Sequence, residues 1–289
     1  MDLIKALLFF VFQITFVFAH SQEQIIGKVI SNEGIPIENC SIGYLKSKWG
    51  CYSNKNGNFK LKKINNDSIV FSAINFRKFV IPISYFDTCN VVHLSEIIKN
   101  LDEIFVTYRK KNLRTIYLGN SSTSSDMLYS FGPNTQYAIY IPNDEKVNGY
   151  IDEIKFKLSD VNNSTYDLLI RIYDLDTINY LPQSDLLLYD NVFLANNLKR
   201  NNSLITNKSN IKIPPNGVFV SFQWIPVNKL VSPKVYQKTP YIVSSISNSQ
   251  AIIFSNYMGL GWNKFKNNFL VNGDSNSTSP CVSLKISSF

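Results

Sequence analysis

The sequence predicts an all-β protein in which two β-sandwich domains follow one another. Its short apolar runs alternate inward and outward residues at period two, and turn signals such as Asn56-Gly57 stand between them. No stretch with a helical period extends beyond about two turns. The 289 residues are 45% hydrophobic and 17% charged, which provides enough apolar side chains for two cores of ordinary size.

Residues 1–21 have the pattern of a secretory signal peptide. Lys5 precedes an apolar core at 6–18, and small residues suited to cleavage follow it. This core is too short to span a bilayer, and no later segment of the sequence reaches spanning length. We therefore expect an exported protein, located in the periplasm, at the outer membrane or outside the cell, with no transmembrane segment in the mature chain.

Residues 22–108 are predicted to form the first sandwich, with about seven short antiparallel strands. A strand at 25–30 ends in a Gly-Ile-Pro turn, and a hairpin at 40–53 follows it. Cys40 and Cys51 flank the turn of this hairpin, so a disulfide across it and two separate thiols are both compatible with the sequence. Further strands are predicted at 59–62, 68–73, 79–83 and 91–94.

Four segments of this region occur in a fixed order, and a fifth, Leu101-Asp102-Glu103-Ile104-Phe105-Val106, follows them. The four are Ile26-Gly27-Lys28-Val29, Gly34-Ile35-Pro36-Ile37, 50–59 and Ile69-Val70-Phe71-Ser72. In this order they resemble the carboxypeptidase regulatory-like domain of exported Bacteroidetes proteins, although Cys51 stands where that family usually has Thr. The resemblance implies an Ig-type sandwich of the prealbumin/transthyretin-like kind. It implies no activity, because this domain type is an accessory module.

Residues 109–125 are predicted as a polar linker, and residues 126–289 as a second, jelly-roll-like sandwich. Ile154, Phe156 and Leu158 alternate with two lysines, and residues 218–225 are apolar on both faces, as in a central strand. Parts of residues 149–225 are similar to the uncharacterised β-sandwich that follows the regulatory-like domain in Bacteroidetes proteins. That β-sandwich has no settled function, so the similarity implies none for this chain. The similar parts are Ile151-Asp152-Glu153-Ile154, Arg171-Ile172-Tyr173-Asp174, 211–214 and 219–225.

The sequence offers few candidates for catalytic chemistry. A zinc carboxypeptidase site needs three protein ligands, and a Ser-His-Asp or Cys-His site needs a histidine base. His20 and His93 are the two histidines, and each begins a His-x-x-Glu sequence without a third ligand. Asp174 and Asp176 begin like a calcium loop, which Ile178 interrupts. We therefore predict that the protein is not an enzyme and has no catalytic residues, metal site or cofactor.

The alternative prediction is a carbohydrate-active enzyme, a glycosidase with its site in the second sandwich. Glycoside hydrolysis on such a fold uses two carboxylates that face each other across a cleft. The sequence supplies two visible pairs of neighbouring carboxylates, Asp152 with Glu153 and Asp174 with Asp176. Residues in turns and at strand ends commonly cap and solvate the chain instead, so the pairs alone do not decide between the two predictions.

Aromatic residues on loops are the candidates for ligand binding. Trp262 and Tyr257 flank the Gly259-Leu260-Gly261 loop, and Trp49 lies at the tip of the first hairpin. Each can stack on a sugar ring or pack in a core. The net charge of +8 is spread along the chain without a recognition helix, so no nucleic-acid partner is predicted. The leading prediction is a non-catalytic accessory or binding protein whose partner is a glycan or an outer-membrane or cell-surface protein.

Overall fold

The computed structural model describes residues 23–47, 49–97, 113–122, 127–129, 132–187, 191–206, 210–229, 239–247, 251–265 and 277–288. In these residues the fold is all-β, and its two helical segments are short 3-10 turns at Ile83–Asp87 and Ala195–Asn197. The prediction of an all-β sandwich protein is confirmed. The signal peptide at 1–21 and the closing segment at 101–106 lie outside the described residues. Within the described part of the chain, no helix is long and apolar enough to cross a bilayer.

The first sandwich packs a sheet of order β4-β1-β7 against a sheet of order β3-β2-β5-β6. The strands are β1 (Gln24–Ser31), β2 (Ser41–Tyr44), β3 (Gly50–Tyr52), β4 (Asn58–Lys62), β5 (Ser68–Ser72), β6 (Phe79–Pro82) and β7 (Val91–Leu94). The prediction that every pair is antiparallel is wrong for β1 and β7, which run parallel with Lys28 opposite Val91. The 3-10 turn Ile83–Asp87 carries the chain from β6 in one sheet to β7 in the other, so β7 runs beside β1 in the same direction.

Period-two alternation fills the space between these two sheets. Phe59 and Leu61 of β4 are buried, and the residues on either side of them are exposed, as the pattern predicts. The Phe59 ring meets the Phe71 ring of the facing sheet edge-on, with centroids 5.7 Å apart. The apolar residues therefore hold the two sheets together without help from a covalent link.

Cys40 and Cys51 are separate, buried thiols at the hairpin of β2 and β3. Ile42, and not Cys40, is the residue opposite Cys51 in the strand register, so the two cysteines are not cross-strand partners. Burial raises the pKa of both thiols, that of Cys51 to about 12, because the apolar core disfavours the thiolate. The sequence is compatible with a disulfide between Cys40 and Cys51, but the structure contains two free thiols there.

The second sandwich contains two larger sheets. Its strands are β8 (Arg114–Gly119), β9 (Met127–Tyr129), β10 (Thr135–Ile141), β11 (Gly149–Ser159), β12 (Tyr166–Leu175), β13 (Pro182–Asp185), β14 (Asn191–Phe193), β15 (Asn201–Ile205), β16 (Val218–Pro226), β17 (Tyr241–Ser247), β18 (Ile253–Tyr257), β19 (Trp262–Lys264), β20 (Ser277–Pro280) and β21 (Val282–Ser288). The front sheet has the order β13-β12-β16-β10-β18-β19, with β14 also on β12. The back sheet has the order β20-β17-β11-β21-β8, with β15 on β11 and β9 on β17.

Strand β8 lies within the segment predicted as a linker, so the second sandwich begins before residue 126. It pairs antiparallel with β21, with Ile116 opposite Ile286 and Leu118 opposite Leu284. Ile116 and Leu118 pack against the core of the sandwich, whereas Tyr117 between them is exposed. The period-two pattern of this short segment is therefore that of an edge strand.

The core of the second sandwich follows the predicted alternation. Ile154, Phe156 and Leu158 of β11 point inward and are buried. Trp224 and Phe222 come from β16 in the front sheet, and the rings of Phe156 and Phe222 lie 5.3 Å apart. Strand β16 is buried on both faces, as predicted. The first sandwich covers its outer face at Ile225, and residues of the second sandwich itself cover that face at Phe219.

The two sandwiches are joined by a close apolar contact. Met258 is fully buried against β2 and β3, in a cluster with Tyr52, Leu169 and Ile225. A Cβ added at Gly43 would lie 2.6 Å from the Cβ of Met258, and one at Gly50 would collide with the end of the same side chain. Glycine at these positions is therefore what lets Met258 approach the backbone of the first sandwich.

Polar contacts also cross the same junction, where Oγ of Ser41 donates a hydrogen bond to Sδ of Met258 at 3.5 Å. Nε2 of Gln223 on β16 donates a hydrogen bond to the hydroxyl of Tyr52 at 3.0 Å. Nζ of Lys229 lies 2.6 Å from Oε1 of Glu38, and the lysine side chain is mostly buried. Contacts of this kind fix the orientation of the two sandwiches more than they add to stability, because a half-exposed ion pair contributes little.

Candidate functional site

A row of aligned side chains crosses the outer face of the front sheet. The strand registers place Gln223 opposite Leu169 on one side and opposite Gln136 on the other. Gln136 in turn is opposite Asn256, and Asn256 is opposite Trp262. Directly opposed residues in a sheet point to the same face, so these five residues form one continuous row from β12 to β19. We call the three amides of this row, Gln136, Gln223 and Asn256, the amide row.

Arg171 lies in the next row, where Ser221 is opposite it. Its side chain is 0% exposed, and its Nη1 is 2.9 Å from Oδ2 of Asp185 on β13. A charged guanidinium is tolerated at such a buried position because a carboxylate compensates it. The side chain of Asp185 is 14% exposed, so the carboxylate is the more accessible member of the ion pair.

The amide row is held in place by hydrogen bonds at one end of each amide. Nε2 of Gln136 donates to the hydroxyl of Tyr173 and to Oγ of Ser221, both at 2.8 Å. Nε2 of Gln223 donates a hydrogen bond to the hydroxyl of Tyr52 in the first sandwich. Oδ1 of Asn256 accepts a hydrogen bond from the backbone N–H of Gly261 at 3.0 Å. An amide held at one end keeps hydrogen-bonding capacity at the other.

The first sandwich forms the opposite wall of a cleft over this surface. The cleft has a volume of about 400 Å³, within the ~300–1,000 Å³ that is typical of small-molecule sites. The wall on the side of the first sandwich carries both polar and apolar residues. The floor consists of the amide row and the Arg171–Asp185 ion pair. The wall residues are Asn39, Ser41, Ser72, Ala73, Ile74, Asn75, Phe76 and Ile97.

Trp262 closes one side of the cleft. Its ring is partly buried and meets the ring of Tyr173 at 5.5 Å with an interplanar angle of 75°. The turn before it is fixed by the first sandwich, because Gly259 has a φ of 77° and a Cβ added there would lie 2.5 Å from the Cβ of Ser72. Both the positive φ and the close approach require glycine. The contact between the sandwiches therefore positions the tryptophan.

Burial keeps Tyr173 in its neutral form. Its pKa is raised, first by desolvation and then by the nearby carboxylate of Asp185. At ordinary pH its hydroxyl is protonated and accepts the hydrogen bond from Gln136. Tyr173 therefore contributes a neutral hydroxyl to the floor of the cleft, and no charge.

The structure places the three predicted binding residues in different surroundings. Trp262 lines the cleft and also packs against the cluster of Phe219 and Phe254 on the front sheet. Tyr257 packs against the junction cluster that contains Ile225 and Met258. Trp49 is partly buried and packs against the core of the first sandwich.

The predicted carboxylate pairs do not face one another across this cleft. Oδ2 of Asp152 accepts a hydrogen bond from Ser287 on the back sheet, and Glu153 lies 3.7 Å from Lys155 on the same strand. Asp174 accepts from the backbone of Ser184. Asp176 accepts two backbone N–H bonds of its own turn as well as one from the Asn179 amide, which together lower its pKa. Among the described residues that line the cleft, the one carboxylate is that of Asp185.

The histidines contribute no described site. His93 is exposed on β7, and His20 lies outside the described residues. In the part of the chain that the structure describes, no three His, Cys, Asp or Glu side chains are grouped as metal ligands.

Sequence reasoning missed the amide row and the Arg171–Asp185 pair. The available signal was a polar residue on the outward side of a strand that is otherwise apolar on both faces, such as Gln223 in β16 or Arg171 in β12. No protein-family model matches the chain, and the search of curated proteins finds no similar protein. The resemblance to the carboxypeptidase regulatory-like domain therefore stays a prediction.

Proposed function

We propose that this chain is an exported, non-catalytic accessory protein of the periplasm or cell surface that binds a glycan in the cleft between its two sandwiches. The observation that carries the proposal is the amide row, which leads across four strands to Trp262 beneath a wall from the first sandwich. In this proposal the first sandwich is an accessory domain of the carboxypeptidase regulatory-like kind.

Glycan recognition suits the chemistry of these residues. Sugar hydroxyls donate and accept hydrogen bonds at once, and amide side chains offer both functions in one plane. The apolar C–H face of a pyranose packs on the face of an indole ring, and tryptophan buries a large area at low entropy cost. The cleft presents both features around one half-open volume of about 400 Å³.

The test is binding of the full-length mature chain to a glycan array, followed by calorimetry with the sugars retained. We expect Trp262→Ala to weaken binding about tenfold or more, because truncation of an aromatic anchor commonly costs ~1.4 kcal/mol or more. Tyr117→Ala is the matched control, since this exposed aromatic residue lies on the back sheet. Equal binding by wild type and Trp262→Ala would contradict the cleft as the site.

The glycosidase alternative is tested on the same samples. We expect no release of reducing ends from any glycan that binds. Turnover that disappears on substitution of one carboxylate, such as Asp185→Asn, would overturn the non-catalytic assignment and favour the alternative.

A further inference from the structure

We propose that the cleft selects neutral saccharides and discriminates against uronic acids and other anionic sugars. This inference rests on the proposed function and concerns the charge of the ligand. It is carried by the ion pair in the floor of the cleft, of which the carboxylate is the accessible member.

The floor has no net charge to offer an anion. Of the described residues that line the cleft, Arg171 and Asp185 are the two ionised ones, and they are 2.9 Å apart. Their opposite charges sum to zero, so the pair offers an anion no net counter-charge. An anionic ligand would therefore lose part of its hydration in the half-open cleft without compensation, which is costly.

The accessible group of this pair is negative. The guanidinium is 0% exposed and the Asp185 side chain is 14% exposed, so Asp185 is the member of the pair that a ligand can reach. Its Oδ1 also accepts a hydrogen bond from the backbone N–H of Leu187 at 2.9 Å. A neutral hydroxyl can donate a hydrogen bond to this carboxylate, and such charge-assisted bonds are stronger than neutral ones. A ligand carboxylate at the same place is repelled.

The other groups in the floor favour hydroxyls over charges. The amide row contributes neutral donors and acceptors, and Tyr173 contributes a neutral hydroxyl. Among the described residues that line the cleft, Arg171 is the one basic residue, whereas Lys155 and Lys157 line a separate cavity on the back sheet.

A matched pair of ligands tests the charge preference on the wild-type chain. Oligogalacturonides and their methyl esters have the same ring and length and differ in the charge at C6. They join a panel of neutral gluco-, manno- and galacto-oligosaccharides in calorimetry at low and moderate salt. We expect neutral members to bind, and each ester to bind at least about tenfold more tightly than its acid, since repulsion of one charge close to a carboxylate in a partly desolvated cleft is worth ~1.4 kcal/mol or more.

The outcomes separate this inference from the proposed function. If the acids bind as tightly as the esters and Trp262→Ala weakens both, the charge preference is wrong and the glycan site stands. If no sugar of either charge binds, both proposals fail. Tighter binding of the esters, lost in Trp262→Ala and kept in Tyr117→Ala, supports both.

A variant tests the role of the ion pair. Asp185→Asn removes the accessible negative charge and leaves Arg171 as the ionised group, so we expect the preference for esters over acids to shrink or reverse. A variant that keeps the full wild-type preference overturns the role given to the pair. Circular dichroism checks that the variant is folded. If it is unfolded, the comparison of acids with their methyl esters on the wild-type chain is the deciding test of the charge preference.

Discussion

The second sandwich has two outer faces, and they differ in what covers them. On β11 in the back sheet the inward residues are apolar and the outward ones include Lys155, which is 46% exposed. On β12 in the front sheet the inward residues are equally apolar, but the outward residues Leu169 and Arg171 are also buried. The first sandwich accounts for part of the difference, because it packs on the front sheet near Leu169 and forms one wall of the cleft beside it. Aromatic side chains of the second sandwich itself, among them Tyr173 and Trp262, cover Phe219 on the same face. An outward strand position is therefore exposed only where neither a second domain nor neighbouring side chains of the same sheet cover it.

The largest expected effect comes from breaking the ion pair under the covered face. Asp185→Asn removes the negative charge that is paired with the buried guanidinium of Arg171, and we expect the free energy of unfolding to fall by about 3 kcal/mol. Lys155→Met on the uncovered face is the control and should change it by less than about 0.5 kcal/mol. Urea denaturation measures both. Equal effects of the two substitutions would mean that the two faces do not differ as described.

A smaller effect is expected at the apolar contact between the sandwiches. Met258→Ala removes a fully buried side chain from between Gly43 and Gly50, and we expect a loss of about 2–3 kcal/mol in the free energy of unfolding. Ile246→Ala, at an exposed position of β17, is the control and should cost less than about 0.5 kcal/mol. If Met258→Ala is as mild as its control in urea denaturation, the junction is not packed as described.

The smallest effect is expected at the ion pair that crosses the junction. Glu38→Gln should lower the free energy of unfolding by about 0.2–1 kcal/mol, because the glutamate is about half exposed and its pair with Lys229 is screened by water. The difference from wild type should shrink in 1 M salt, where the Debye length is about 3 Å. A difference that does not depend on salt would assign the effect to packing and not to charge.

Local pattern predicted the sandwiches well and the cleft poorly. Alternation at period two identified the inward residues of β4 and β11, because burial of one face leaves a signal within a few residues. The parallel pairing of β1 and β7 has no such local signal, since it depends on where the chain crosses between sheets. The amide row depends in the same way on the register of strands that are distant in sequence. Its members Gln136, Gln223 and Asn256 become neighbours only when β10, β16 and β18 pair.

The position of Trp262 was predicted from the sequence only in part. A tryptophan beside a glycine-rich turn suggested a binding residue, and the structure brings it to the edge of the cleft. The sequence did not indicate that Gly259 packs on Ser72 of the other sandwich, because that contact joins residues far apart in the chain. Tyr257, which has the same local setting, packs in the junction instead.

The contact between the two sandwiches is the central claim, and zero-length carbodiimide cross-linking of the full-length chain tests it most directly. The carbodiimide joins a lysine to a carboxylate only when they touch, so we expect mass spectrometry to find a peptide pair that links Lys229 to Glu38, 2.6 Å apart across the junction. The link between Lys63 and Asp87, 3.1 Å apart within the first sandwich, serves as the internal positive control. Formation of the control link without the Lys229–Glu38 link would contradict the account, because the first sandwich would then not cover the front sheet.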